Sequence, residues 1–217
     1  MKFLHSGDEI DVTIDQLVVA GWTGRNQEAV DHHIEELRLL GIAPPSQVPL
    51  YYRGSKSLLV QDTVIDVLGE GTSGEVEPLL IQTNNILYIG LASDHTDRDL
   101  EAHSVAASKQ ICLKPAARDV WLYETIEDHV DDLVLTCSIE ENGEWVLYQE
   151  GTLASIRPLA ELMAGSGFDD HYAMLCGTLP AIGSVRPAMK YRMQLQDPVL
   201  KRAISLDYAV RTLEIVS

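Results

Sequence analysis

Apolar and polar positions alternate with a period of two along several short stretches of this chain, and four longer stretches carry a helical pattern. Residues 10–20 hold the β-branched Ile10, Val12, Ile14, Val18 and Val19, which read as strand, and residues 21–26 read as a turn into a helix. Strand-like runs follow at 49–52, 57–60, 64–68, 75–81 and 86–91, separated by turn formers. Residues 133–139 and 144–149 pair as a hairpin across Asn142-Gly143, a dipeptide that accepts positive φ at both central turn positions. The C-terminal stretch alternates again, as in Tyr191-Arg192-Met193-Gln194-Leu195, so strands are expected to close the fold. Helices are expected over 25–40, 98–110, 117–129 and 152–163. The first of them has Gly41 at its C-terminal end and Pro44-Pro45 just beyond, the usual stop chemistry. Strands at both ends with helices between them give an α+β fold, not a regular βαβ series. No segment repeats, so residues 1–217 read as a single domain.

Composition narrows the function. The 217 residues carry 16 Lys+Arg against 33 Asp+Glu, a formal charge of −17, which would repel nucleic acid or an anionic membrane before contact. Hydrophobic residues at 46% and charged residues at 23% allow a real core. Cys112, Cys137 and Cys176 are widely spaced with no CxxC pair, so neither a disulfide framework nor a structural zinc site is expected. With no signal-peptide pattern at the first residues and no membrane-length apolar run, the expectation is a cytoplasmic protein.

Four constellations could carry chemistry. Gly69-Glu70-Gly71-Thr72-Ser73-Gly74 spells GxGxxG, but Glu75-Val76-Glu77-Pro78 continues as strand and would aim carboxylates at a phosphate, so a dinucleotide site is not expected. Glu75 and Glu77, two apart on a strand, share a face with Cβ atoms about 7 Å apart, and their mutual repulsion calls for a cation or a proton. The apolar run Leu79-Leu80-Ile81 argues that this strand is buried, where unpaired glutamates are costly. Asp94 falls at the end of the strand 86–91, where a carboxylate can meet a cation held by a neighbouring strand, while Thr96 or Asp97 can cap the next helix. The alternative is that these acids are capping groups and solvated surface.

The fourth lies on the first helix. At about 100° per residue from Val30, Ile34, Leu37 and Leu40 define a buried stripe at about +40°, −20° and −80°, with His33 inside it and His32 on the opposite side. Glu36, at i+3, can orient the His33 imidazole as a general base; a satisfied structural histidine is the alternative. Histidine-based metal binding is disfavoured because no HxxxH occurs, and neither a GxSxG elbow nor a P-loop is present.

In this order the residues resemble the fumarylacetoacetate hydrolase-like family over most of the chain. Gly24-Arg25-Asn26 with His33-Ile34-Glu35-Glu36 is similar to its Gly-x-Asn-Tyr…His-x-x-Glu segment, and Gly74-Glu75-Val76-Glu77 to its Glu-x-Glu metal strand. Residues 93–101 resemble its Asn-Asp-x-x-Ala-Arg-Asp-x-Gln stretch, Lys109 falls near its active-site lysine, and Cys176-Gly177-Thr178-Leu179-Pro180 looks like its Ser-Gly-Thr-Pro loop. The departures are about three extra residues between Asn26 and His33, Gln27 for Tyr, Asp97 for Ala, Glu101 for Gln and Leu179 before Pro180, which mark a divergent branch, one described as a domain of unknown function.

The resemblance implies a mixed β-sheet roll with surrounding helices, usually a homodimer, with Mg²⁺ or Mn²⁺ held by Glu75, Glu77 and Asp94. Hard oxygen donors suit Mg²⁺, Mn²⁺ or Ca²⁺ and not zinc. It further implies hydrolysis of a C–C bond in a small 2-oxo acid of the acylpyruvate type through a metal-stabilised enolate, with His33 and Glu36 as the base pair and Lys109 and Thr178 holding oxyanion or carboxylate charge. Decarboxylation, hydration or dehydration, and tautomerisation of a 2-oxo acid could use the same site. A catalytically idle acidic binding protein, its carboxylates mere surface charge, is the reading from another class.

Overall fold

The computed structural model describes residues 1–39 and 44–216, with the side chains of His33, Glu36 and Leu37 outside the described set. The chain opens with a hairpin of β1 (Lys2–His5) and β2 (Asp8–Asp11), whose turn places Ser6 and Gly7 at φ 54° and 88°. Next come β3 (Gln16–Gly21), α1 (Gln27–Leu39), β4 (Leu50–Gly54), the short β5 (Leu59–Val60), β6 (Val64–Leu68) and the short β7 (Thr72–Ser73). The long β8 (Val76–Thr83) and β9 (Ile86–Ser93) form a hairpin around Asn84 and Asn85, both at positive φ. They are followed by β10 (Thr96–Asp97), α2 (Arg98–Glu101), α3 (Val105–Ile111), β11 (Lys114–Pro115) and β12 (Trp121–Leu122). The hairpin β13 (Val134–Glu141) and β14 (Glu144–Thr152), then α4 (Leu159–Ser166), β15 (Tyr172–Leu175), β16 (Lys190–Asp197) and β17 (Arg202–Leu213), complete the described chain.

Two mixed sheets carry the architecture: a six-stranded one in the order β12-β9-β8-β15-β3-β4 and a five-stranded one in the order β14-β13-β16-β17-β6. Strand alternation sends Val18, Leu80, Ile89 and Met174 of the first sheet into one core with Leu135, Ile139, Met193, Leu195 and Ile204 of the second. The alternate residues Leu17, Val19, Leu79, Ile81 and Leu175 form a second core with Phe3, Val12 and Ile14. The six-stranded sheet is therefore covered on both faces, which explains the near-continuous apolar run of β8 and β9. Each fully buried Leu, Ile or Val contributes about 1.5–3 kcal/mol, so these two cores fix the placement of β8 and its glutamate end.

Several expected elements differ. Residues 117–129 are not a helix. Ala117 donates its N–H to Leu91 O at 2.8 Å and β12 pairs with β9, so the sheet edge takes the backbone and 3-10 turns at Tyr123–Thr125 and Glu127–Asp132 follow. The helix expected over 98–110 is split, because Asp97 and Ser104 each cap a new start, accepting from Leu100 N–H at 2.9 Å and Ala107 N–H at 3.3 Å. The helix expected over 152–163 begins only after Pro158 and ends in Gly167 at φ 68°. Along α1, Val30 and Ile34 are half-buried and Leu39 is exposed, while Leu40 and Gly41 lie outside the described residues; no described residue of α1 is buried.

Candidate metal centre

Antiparallel pairing builds the site. Val76 sits opposite Ser93 and Glu77 opposite Ala92, and the Asp94 N–H donates to Glu75 O at 3.0 Å, so the start of β8 and the end of β9 lie side by side. One carboxylate oxygen from each of Glu75, Glu77 and Asp94 falls within 4.8 Å of the others. Glu77 is 2% exposed and Asp94 0%, which contradicts the reading of these acids as surface charge.

Each carboxylate has its own support. The Gly177 N–H donates to Glu77 Oε2 at 2.7 Å. Arg98 places Nη2 3.0 Å from Glu75 Oε1, Nη1 2.8 Å from Glu101 Oε2, and Nε 2.6 Å from Ser73 Oγ. Lys109 of α3 pairs with Asp94 Oδ2, and the wholly buried Lys114 stands 2.9 Å from Asp94 Oδ1 while donating to His95 O. That Lys114 approach is an ion pair off the hydrogen-bonding direction, and Asp94 Oδ1 accepts no hydrogen bond from the described residues.

The electrostatics follow from burial and these neighbours. Burial and the nearby Asp94 charge push the Glu77 carboxyl well above its ordinary value. Burial would raise Asp94 too, but Lys109 and Lys114 outweigh it and hold that carboxyl below the usual range. Burial would lower Lys109, and Asp94, Glu75 and Glu77 raise it instead. His95 is pushed down to about 3 by burial, with Lys114 and Arg98 adding to it, so it is a neutral imidazole. Its Nε2 lies 2.8 Å from Thr72 Oγ1 and its Nδ1 3.0 Å from Tyr208 OH, which in turn lies 2.9 Å from Ser93 Oγ. Tyr208 stacks on Tyr191 at a centroid distance of 4.8 Å. This polar brace fixes the backbone on both sides of Asp94.

The structure brings together Glu75, Glu77, Asp94 and Lys109. Thr178 stands one residue from the Gly177 donor, but its hydroxyl donates to Val76 O at 2.8 Å and accepts from Gln149 Nε2 at 2.8 Å, so it fastens the loop to β8. The backbone of His33 and Glu36 belongs to α1; their side chains lie outside the described residues. The GxGxxG segment opens no helix: β7 lies within it and the strand β8 follows it, as expected. Sequence reasoning missed Lys114, the Gly177 N–H, Gln149 and the His95–Tyr208 pair. A lysine inside the apolar stretch Ile111-Cys112-Leu113-Lys114-Pro115-Ala116 was the one available signal for the first.

The donor set suits a hard divalent cation. Among the described residues it is made of carboxylate oxygens without nitrogen or sulfur, is mostly buried, and includes an Asp94 oxygen that accepts no hydrogen bond. A mixed two-sheet α+β protein with a largely buried triad of acids at a strand end is the class that fold and site define.

Residues 20–208 match the family described as Protein of unknown function (DUF2848), and the chain belongs to that family. Among solved structures it is similar to Cg1458 with inhibitor, at a TM-score of 0.68 and 14% identity over 96% of this chain and 84% of that one. It is also similar to 2-keto-3-deoxy-D-arabinonate dehydratase complexed with magnesium and 2,5-dioxopentanoate, at a TM-score of 0.65 and 13% identity over 94% of this chain and 75% of that one. No curated protein matches the chain significantly. At these identities the likeness establishes a shared fold.

Proposed function

We propose that this protein is a divalent-metal-dependent enzyme of the fumarylacetoacetate hydrolase-like kind that cleaves a C–C bond in a small 2-oxo acid by hydrolysis. The observation that carries the reading is the triad Glu75, Glu77 and Asp94, with oxygens within 4.8 Å of one another in a largely buried setting. These three residues would hold Mg²⁺ or Mn²⁺, which supplies Lewis acidity toward the oxygens of a 2-oxo acid. Arg98 and the Gly177 N–H fix the orientation of Glu75 and Glu77. Lys109 pairs with Asp94 and keeps 11% of its side chain exposed, so in this reading its ammonium neutralises the carboxylate or the developing oxyanion of the substrate. By the family resemblance, His33 and Glu36 would be the base pair that takes the proton of the attacking water. The same kinship implies a single catalytic domain working as a cytoplasmic homodimer on a small molecule.

A second reading, dehydration of a 2-keto-3-deoxy acid, is favoured by the similar dehydratase solved with magnesium and 2,5-dioxopentanoate. Proton NMR of acylpyruvates and 2-keto-3-deoxy acids incubated with protein and Mg²⁺ separates the two. Hydrolysis releases pyruvate and a carboxylate, whereas dehydration removes water without breaking the carbon chain. Turnover of neither class with Mg²⁺ or Mn²⁺, or turnover indifferent to chelator, would overturn the proposal.

A further inference from the structure

Three carboxylates, two of them buried and one half-buried, invite the expectation of a strongly anionic, tight cation site, but the surrounding charges say otherwise. Asp94 carries two ammonium partners, Lys109 on Oδ2 and Lys114 at 2.9 Å from Oδ1. Glu75 shares Arg98 with Glu101, at 3.0 and 2.8 Å. Of the triad only Glu77 has no cation paired to it among the described residues; its hydrogen bond comes from the neutral Gly177 N–H. Counting Glu101, and taking Glu77 as the carboxylate it must be to hold an ion, four negative charges among the described residues therefore face three positive ones.

A divalent cation entering this group turns one excess negative charge into one excess positive charge. Lys114, Asp94 and Glu77 are almost fully out of solvent, so an uncompensated charge among them is poorly screened. A ligand bearing a single negative charge restores balance, whereas a neutral ligand does not. Without the two lysines the order would reverse: three carboxylates would keep a net negative charge after taking the ion and would resist an anion.

We infer that the site takes a divalent cation and a monoanionic 2-oxo acid as a coupled pair, each raising affinity for the other, with Lys109 and Lys114 weakening Asp94 for the bare ion. This rests on the metal-site reading above and assigns the lysines a part in it that activity alone would not show. By reciprocity, the factor by which the acid tightens the ion equals the factor by which the ion tightens the acid.

The test is calorimetric titration of Mn²⁺ into chelator-stripped full-length protein, alone, with pyruvate, and with methyl pyruvate, the neutral ester that keeps both carbonyl oxygens. Pyruvate is expected to tighten Mn²⁺ by about fivefold or more, and the ester by less than about twofold. Lys109→Met is expected to bind Mn²⁺ alone more tightly than wild type and to lose most of the pyruvate effect. Lys114→Met, read by circular dichroism for folding, is expected to move in the same direction. An Mn²⁺ affinity indifferent to pyruvate, an ester as effective as the acid, or weaker Mn²⁺ binding by Lys109→Met would overturn the coupling while leaving the metal site standing. Absence of Mn²⁺ binding under every condition would overturn both.

Discussion

Gly177→Ala is the substitution on which the geometry of the site bears most heavily. Gly177 sits at φ +101°, and a Cβ there would lie 1.7 Å from Thr23 Oγ1 and 2.9 Å from Thr23 Cβ. The side chain in the way is short and buried, with Thr23 4% exposed, so it has little room to withdraw. Backbone strain of about 1–3 kcal/mol adds to overpacking of about 1–3 kcal/mol, giving roughly 2–6 kcal/mol of destabilisation. For a chain of this size that is a Tm loss of roughly 5–20 °C, read by differential scanning calorimetry. Thr23→Ala in the same chain removes Oγ1 and should return most of the steric part but none of the φ strain, so the two changes should be non-additive by about 1 kcal/mol or more. Because the Gly177 N–H is the hydrogen-bond donor to Glu77, the Mg²⁺-induced rise in Tm should also shrink in Gly177→Ala, and should persist in Leu195→Ala, a core change that leaves that donor in place. A Tm loss under about 2 °C, or strict additivity with Thr23→Ala, would refute the reasoning.

Three further outcomes follow from the same contacts. Gly71→Ala should be tolerated within about 1 kcal/mol, although its Cβ would meet Asp99 Oδ2 at 2.2 Å, because that oxygen ends an exposed side chain with solvent to turn into; a loss as large as that of Gly177→Ala in urea unfolding would contradict this. Asp94→Asn should destabilise more than Lys114→Met, since it leaves two ammonium groups facing one another, whereas Lys114→Met leaves Asp94 paired with Lys109; equilibrium unfolding in the absence of metal gives the order, with about 3–5 kcal/mol expected for Asp94→Asn. Burial would raise the Asp197 carboxyl, but Leu200 N–H, His129 and Arg202 hold it below its usual 3.8. A depressed carboxyl contributes stability above its unfolded value and loses it as pH falls through the folded one, so stability should decline below about pH 4. Asp197→Asn should show a shallower acid limb, and equal slopes would exclude this role.

Where local pattern and tertiary demand agreed, the fold was legible in the sequence. Val64–Leu68 has the bounds that its alternation implied, and Asn142 and Gly143, at φ 53° and 82°, turn the expected hairpin. Residues 117–129 failed because a helix-compatible composition lies along the edge of the six-stranded sheet, where unpaired backbone groups of β9 take Trp121 and Leu122 into the ladder. Of the site, Glu75, Glu77 and Asp94 were readable because strand spacing and a strand end are local properties. Lys114 was not, since a lysine is ordinarily at the surface and its partner lies 20 positions earlier. His95 and Tyr208 are 113 residues apart, and only the packing of the two sheets brings them into contact.

The central claim is that Glu75, Glu77 and Asp94 hold a divalent cation, and a thermal melt of chelator-stripped protein tests it most directly. With Mg²⁺ and pyruvate at about 100 times the dissociation constant, mass action adds about 2.7 kcal/mol, a rise of roughly 5–11 °C at this chain length. The rise should vanish in Glu75→Gln and Glu77→Gln while both variants remain folded. No rise in wild type, or an equal rise in the two variants, would contradict the claim.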